Sequence, residues 1–150
     1  MPREQVDLTA TDAHALAREV RILVGQLRRK LREQAEPGDF TPSQVAALIR
    51  LLTDGPMTLT ALARAEGMRP QSMGAIVSAL DAVGLVSSAP DPTDGRQSIL
   101  SATPEARHMV EAGRAAKEDW LSRTIESKLS DREQRALFTG IELLKRLLDP

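Results

Sequence analysis

Aromatic side chains are almost absent from this chain: Phe40, Trp120 and Phe138 are the whole supply in 150 residues. Sandwich and barrel cores draw heavily on aromatic and β-branched residues, whereas Ala, Leu and Val suit the grooves between packed helices. The interior must therefore be aliphatic, and a mainly α fold is expected. A chain of this length can bury one core. Twenty basic against twenty-one acidic residues, with 41% hydrophobic, exclude a disordered polyelectrolyte. The same balance means that any nucleic-acid partner must be recognised by local arrangement. No cysteine is present, which removes disulfides, thiolate metal sites and thiol redox sensing together. No apolar run reaches the roughly twenty residues of a membrane span, and residues 1–12 hold no hydrophobic signal segment, so a cytoplasmic location without a membrane partner is expected.

Punctuation divides the chain. Over residues 11–33, Ala13, Leu16, Val20, Leu23, Val24, Leu27 and Leu31 recur at three- and four-residue steps, giving a helix with one apolar stripe. Its other face carries Arg18, Arg21, Arg28, Arg29, Lys30 and Arg32, and Pro37-Gly38-Asp39 ends it. Thr41-Pro42-Ser43-Gln44 reads as a capping box with proline at the first helical position, and Asp54-Gly55-Pro56 stops the helix it starts. A short helix over 60–66 ends at Gly67, a left-handed cap. Arg69-Pro70 opens the next helix, over 70–83, closed by Gly84. Two helices so closely joined form a helix-turn-helix. Two strands within 87–101 flank an Asp94-Gly95 turn as a hairpin. Thr103-Pro104 and the capping box Ser130-Asp131-Arg132-Glu133 start two last helices. The final one is striped by Leu137, Phe138, Ile141, Leu144, Leu147 and Leu148. Residues 37–102 are thus expected to form a winged helix-turn-helix, and residues 1–36 with 103–150 a helical dimerisation region. Stripes with nothing in one chain to cover them call for a second copy.

On the helix over 70–83, Met73, Ile76, Val77 and Leu80 form the buried side. The other side holds Arg69, Gln71, Ser72, Gly74, Ala75, Ser78 and Ala79, with no carboxylate before Asp81. Major-groove insertion needs slim side chains and donors near the helix start: Gln71 matches adenine bidentately, Arg69 matches guanine or phosphate, and Ser72 and Ser78 donate to either. At the hairpin tip Gly95 is expected to permit the turn, and Arg96, held extended by a salt bridge to Asp94, to enter a minor groove. An ordinary exposed helix face and a solvated turn are the plainer alternatives. If Arg64, Arg69 and Arg96 each neutralise one phosphate per chain, a dimer binds with a salt slope of roughly −5.

The rest supports no catalysis. His14 and His108 are the only histidines, each without a second histidine at four-residue spacing, so neither a metal site nor a cofactor is expected. No nucleophile elbow and no glycine-rich phosphate loop occur. An effector pocket between the helices would draw on Leu16, Val20, Val45, Leu48, Met109 and Trp120, with Arg21 or His14 to receive an anion; core packing is the plainer role of the apolar members.

The stretch from Met57-Thr58-Leu59-Thr60 to Gly84-Leu85-Val86, followed by Asp91-Pro92-Thr93-Asp94-Gly95-Arg96, resembles the MarR family of bacterial transcription regulators. The six-helix order extends the resemblance to nearly the whole chain, and the Asp-x-x-Asp-Gly-Arg wing is its most specific part. The resemblance implies a winged-helix homodimer with interlocked termini on a pseudo-palindromic operator in double-stranded DNA. It implies base or phosphate contacts at Arg69, Gln71, Ser72 and Ser78, wing contacts at Asp94 and Arg96, a phosphate contact at Thr58, and a small phenolic or anionic effector. Arg69 departs from the small hydroxyl residue that often caps this helix in the family. The rival reading from the residues themselves is a winged-helix protein-interaction module that does not bind DNA, favoured by the acids around the helix-turn-helix.

Overall fold

The computed structural model describes residues 12–35 and 40–150. Six helices and three short strands follow in the order α1 (Ala13–Gln34), α2 (Pro42–Asp54), β1 (Met57–Thr58), α3 (Leu59–Ala65), α4 (Pro70–Ala82), β2 (Val86–Pro90), β3 (Ser98–Ala102), α5 (Pro104–Lys128) and α6 (Asp131–Arg146). Thr11, the expected break at Pro37-Gly38-Asp39 and the expected boundary between residues 36 and 37 lie outside the described residues.

Local signals set most of the helix ends. Asp12 caps α1 by accepting from the N–H of His14 at 2.9 Å, so the helix starts two residues later than the apolar spacing suggests. Thr41 and Gln44 form the reciprocal capping box of α2, at 3.2 and 2.8 Å, and Ser130 and Glu133 repeat it on α6. Gly55, Gly67 and Gly84 all adopt positive φ where helices end, a conformation that a side chain would strain. Thr103 caps α5 by accepting from the N–H of Ala106 at 3.3 Å, while its hydroxyl donates to the carbonyl of Gly84 at 2.8 Å. Its own N–H donates to the carbonyl of Leu85 at 3.1 Å. One residue thus ties the start of α5 to the end of α4.

The strands form an antiparallel sheet in the order β1-β3-β2, with Ser88 opposite Leu100 and Ala89 opposite Ile99. The expected two-stranded hairpin therefore gains a third member. Met57 pairs with Leu100 and Thr58 with Ile99, so β1 occupies the free edge of β3. Such an edge leaves a row of N–H and C=O groups to satisfy.

Ala47, Leu48, Leu51, Leu62, Met73 and Leu80 are the centre of an aliphatic core between α2, α3, α4 and the sheet; Ala106 and Val110 bring α5 against it. None of the aromatic residues belongs to its buried set, and Phe40 only packs against it from outside. The ends of the chain differ. Neither α1 nor α6 buries a single residue. Leu16, Leu23 and Val24 on α1 and Phe138, Leu143 and Leu144 on α6 stay exposed, although α1 lies against α5.

Candidate nucleic-acid interface

α4 holds one side in the core and opens the other to solvent. Met73 and Leu80 are buried, Ile76 and Val77 half-buried, and this anchors one side of the helix. Gln71, Ser72, Ala75, Ser78 and Ala79 are all exposed on the other. Arg69 occupies the N-cap and makes no capping hydrogen bond, and Pro70 follows it. The first N–H groups, those of Gln71 and Ser72, therefore have no side-chain partner, and the positive end of the helix dipole faces outward. Gly74 packs against α3: a Cβ placed there would lie 3.8 Å from Leu59 Cδ2, ordinary contact distance.

The wing tip is built differently from the sequence expectation. Gly95 does not adopt a positive φ, and two aspartates shape the loop instead. Asp91 accepts from the N–H of Thr93 at 2.9 Å and from its hydroxyl at 2.8 Å. Asp94 accepts from the N–H of Arg96 at 3.1 Å, and the N–H of Gln97 closes the turn onto the Asp94 carbonyl. These are side-chain mimics of backbone turns. The N–H and then the hydroxyl of Thr93, with a smaller contribution from the N–H of Asp94, hold the Asp91 carboxyl below the ordinary aspartate value. The expected salt bridge between Asp94 and Arg96 does not form, because the carboxylate is engaged with the backbone. The Arg96 guanidinium makes no ion pair among the described residues.

Charge around the motif is also rearranged by a contact the sequence did not reveal. Arg50 on α2 donates to Glu66 at 2.8 Å and to Asp54 at 3.0 Å. Hydrogen bonds to Glu66 first and Asp54 second keep its guanidinium more firmly protonated than usual. Of the five carboxylates in this region, the two nearest α3 are thus paired. A glutamate sixteen positions after an arginine carries no local sequence signal.

A cleft of about 420 Å³ lies between α3, α4 and the wing, with Thr58, Thr60, Ser78, Ser88, Arg96 and Gln97 in its walls. It brings three expected contact residues together: Thr58, Ser78 and Arg96. Thr60, Ser88 and Gln97 were not anticipated; only their place beside the wing marks them. Thr58 is half-buried, and its hydroxyl oxygen caps α3 by accepting from Ala61 at 3.2 Å, leaving its own hydrogen to donate elsewhere. Arg69, Gln71 and Ser72 stand outside this cleft, at the exposed start of α4.

The residues considered for an effector are scattered. His14, Leu16 and Arg21 are exposed, Val20, Val45, Met109 and Trp120 half-buried, and Leu48 belongs to the core. None lines this cleft or a second one of about 310 Å³ beside α5 and α6. No cluster of metal-ligating side chains occurs among the described residues, and no helix there is long and apolar enough to cross a membrane.

A profile of the MarR family matches residues 40–98. A helix-turn-helix-type transcriptional regulator of Mycobacterium tuberculosis is 34% identical over 134 residues, spanning 89% of this chain and 93% of the relative. Among solved structures, a protein of Pseudomonas aeruginosa described as a transcriptional regulator superimposes with a TM-score of 0.79 at 30% identity, covering 94% of this chain and 99% of the other. A Staphylococcus aureus MepR variant bound to an oligodeoxyribonucleotide shares the fold, with a TM-score of 0.68 at 21% identity over 93% of this chain and all of the other.

Proposed function

The chain belongs to the MarR family of DNA-binding transcriptional regulators, and we propose that it acts as a homodimer reading a pseudo-palindromic operator. Each α4 enters a major groove, about one helical turn from its partner, and each wing reaches the flanking minor groove. The observation that carries this reading is the exposed face of α4: slim or polar from Gln71 to Ala79, free of carboxylates, and headed by an uncapped helix start. Gln71, Ser72 and Ser78 supply base-edge donors, while Arg69, Arg96 and the hydroxyl of Thr58 approach phosphates or the minor groove. The exposed apolar residues of α1 and α6 support pairing of two chains, since one chain leaves them in water. The MepR likeness, seen with an oligonucleotide, supports the same partner.

The rival interaction-module reading drew its weight from acidic residues around the motif. Arg50 neutralises two of them, which reduces that weight. Selection of bound fragments from the host genome followed by a salt series tests the proposal. The expected result is a shared two-fold sequence and a slope of roughly −5 in log affinity against log salt. Gln71→Ala should relax preference at particular base pairs by about 1–3 kcal/mol, whereas Arg96→Ala should weaken all sequences alike. Equal losses on every sequence in both variants would refute this division of labour.

A further inference from the structure

The structure has a cationic surface on α1, and nothing in the reading above uses it. On α1, Arg18, Arg21, Arg28, Arg29 and Arg32 are all exposed, and none makes an ion pair among the described residues. At 3.6 residues per turn they fall within an arc of about 100°, running about 21 Å along the helix opposite the Leu16–Leu27 stripe. Lys30, outside that arc, pairs with Glu33 at 3.3 Å. From this surface we infer that α1 carries a binding face for the phosphodiester backbone of duplex DNA, separate from the operator-reading face and indifferent to sequence.

Three observations favour this occupant. First, residues 40–102 set Arg50, Arg64, Arg69 and Arg96 against five carboxylates, and α5 and α6 mix both signs in near-equal number, so α1 is the one concentration of positive charge among the described helices. Second, the stripe pays a local penalty. Arg18 with Arg21, Arg28 with Arg32, and Arg29 with Arg32 are like charges at three- and four-residue spacing, each unfavourable in an isolated helix. Ordinary solvated faces interleave opposite signs, and an anionic occupant removes the repulsion. All five are arginines, whose planar fork pairs bidentately with phosphate. Third, Gly25 lies within the same arc. Its φ is not positive, and a Cβ there would meet nothing within 4 Å. This chain's packing does not require a glycine there, but a flat backbone lets a phosphate chain approach between the two arginine groups. Pairing of this face with its own copy would set arginines against arginines, which disfavours a second copy as its occupant.

The inference rests on the family's DNA partnership but not on operator reading by α4. The test is binding of the full chain to a random-sequence duplex across a salt series. The variant Arg28→Gln, Arg29→Gln, Arg32→Gln keeps good helix formers. It should bind about a hundredfold more weakly at 150 mM salt, with the slope reduced by about 2.5 or more. Gly25→Glu places a carboxylate in the arc while improving helix propensity, so its expected loss of affinity cannot come from unfolding. Unchanged affinity and slope in both variants overturn the inference. So does a loss confined to vesicles of mixed neutral and phosphatidylglycerol lipid, with duplex binding intact. Operator preference is read separately: if wild type prefers an operator but the arginine variant binds random duplex normally, only this inference fails. If no operator preference exists yet random binding falls in the variant, only the operator-reading proposal fails.

Discussion

Phe138 offers a direct measure of what the uncovered helices are for. It is 67% exposed in a single chain, and Ile141, three residues on along α6, is exposed beside it. An aromatic side chain buries roughly 150–250 Å², and removal from water is worth about 25 cal/mol per Å². Covering its exposed part thus contributes about 2.5–4 kcal/mol. A two-fold symmetric dimer contains that contact twice, so Phe138→Ser should cost association at least about 4 kcal/mol, a thousandfold in dissociation constant. The isolated chain should lose little, because the side chain contributes nothing to the buried core. Sedimentation equilibrium over a concentration series reads the constant directly. Val83, 57% exposed at the end of α4, is the control: Val83→Ser should leave association unchanged. A wild-type dissociation constant in the Phe138 variant, or an equal loss in both, would refute the argument that exposed α6 residues are dimer contacts.

Four further outcomes follow from the geometry. Gly74→Ala replaces a poor helix former without a clash, so it should stabilise the fold by up to about 1 kcal/mol and raise Tm by about 2–4 °C in a calorimetric scan. Leu80→Ala removes a fully buried side chain holding α4 to the core, and urea unfolding should show a loss of about 2–5 kcal/mol. The Asp91 carboxyl titrates below its ordinary value, so its contribution to wing order is present above about pH 4 and is lost as pH falls through its folded pKa. Thr93→Val removes one of its donors and should move that titration upward in an NMR pH series; no movement would discount the hydroxyl. Thr103→Val removes the cap of α5 and the tie to Gly84 together, and thermal unfolding should report a loss of about 1–2 kcal/mol.

Helix starts and stops were legible in the sequence because their causes are local. Thr41 with Gln44, Ser130 with Glu133, and the glycines at 55, 67 and 84 act within a few residues. The exposed face of α4 was legible for the same reason, as its slim residues alternate with core residues at helical spacing. What could not be read depends on chain segments far apart. β1 is two residues long and exists because β3 offers an edge. Arg50 meets Glu66 only once α2 and α3 pack. At the wing, the sequence points to an Asp94–Arg96 ion pair that the structure does not form. An aspartate two positions before an arginine suggests an ion pair, but the arginine's own backbone N–H lies nearer than its guanidinium and takes the carboxylate. Thr60, Ser88 and Gln97 enter the cleft through the same long-range assembly.

The double engagement of Thr103 has a mechanical consequence. Its hydroxyl and its amide grip two successive carbonyls just past the end of α4, while the same side chain begins α5. Any tilt of α5 must drag Gly84 and Leu85 along or break both bonds at once. The joint couples the long helix to the end of α4: a displacement of α5 reaches Gly84 and Leu85 through two bonds made by one residue.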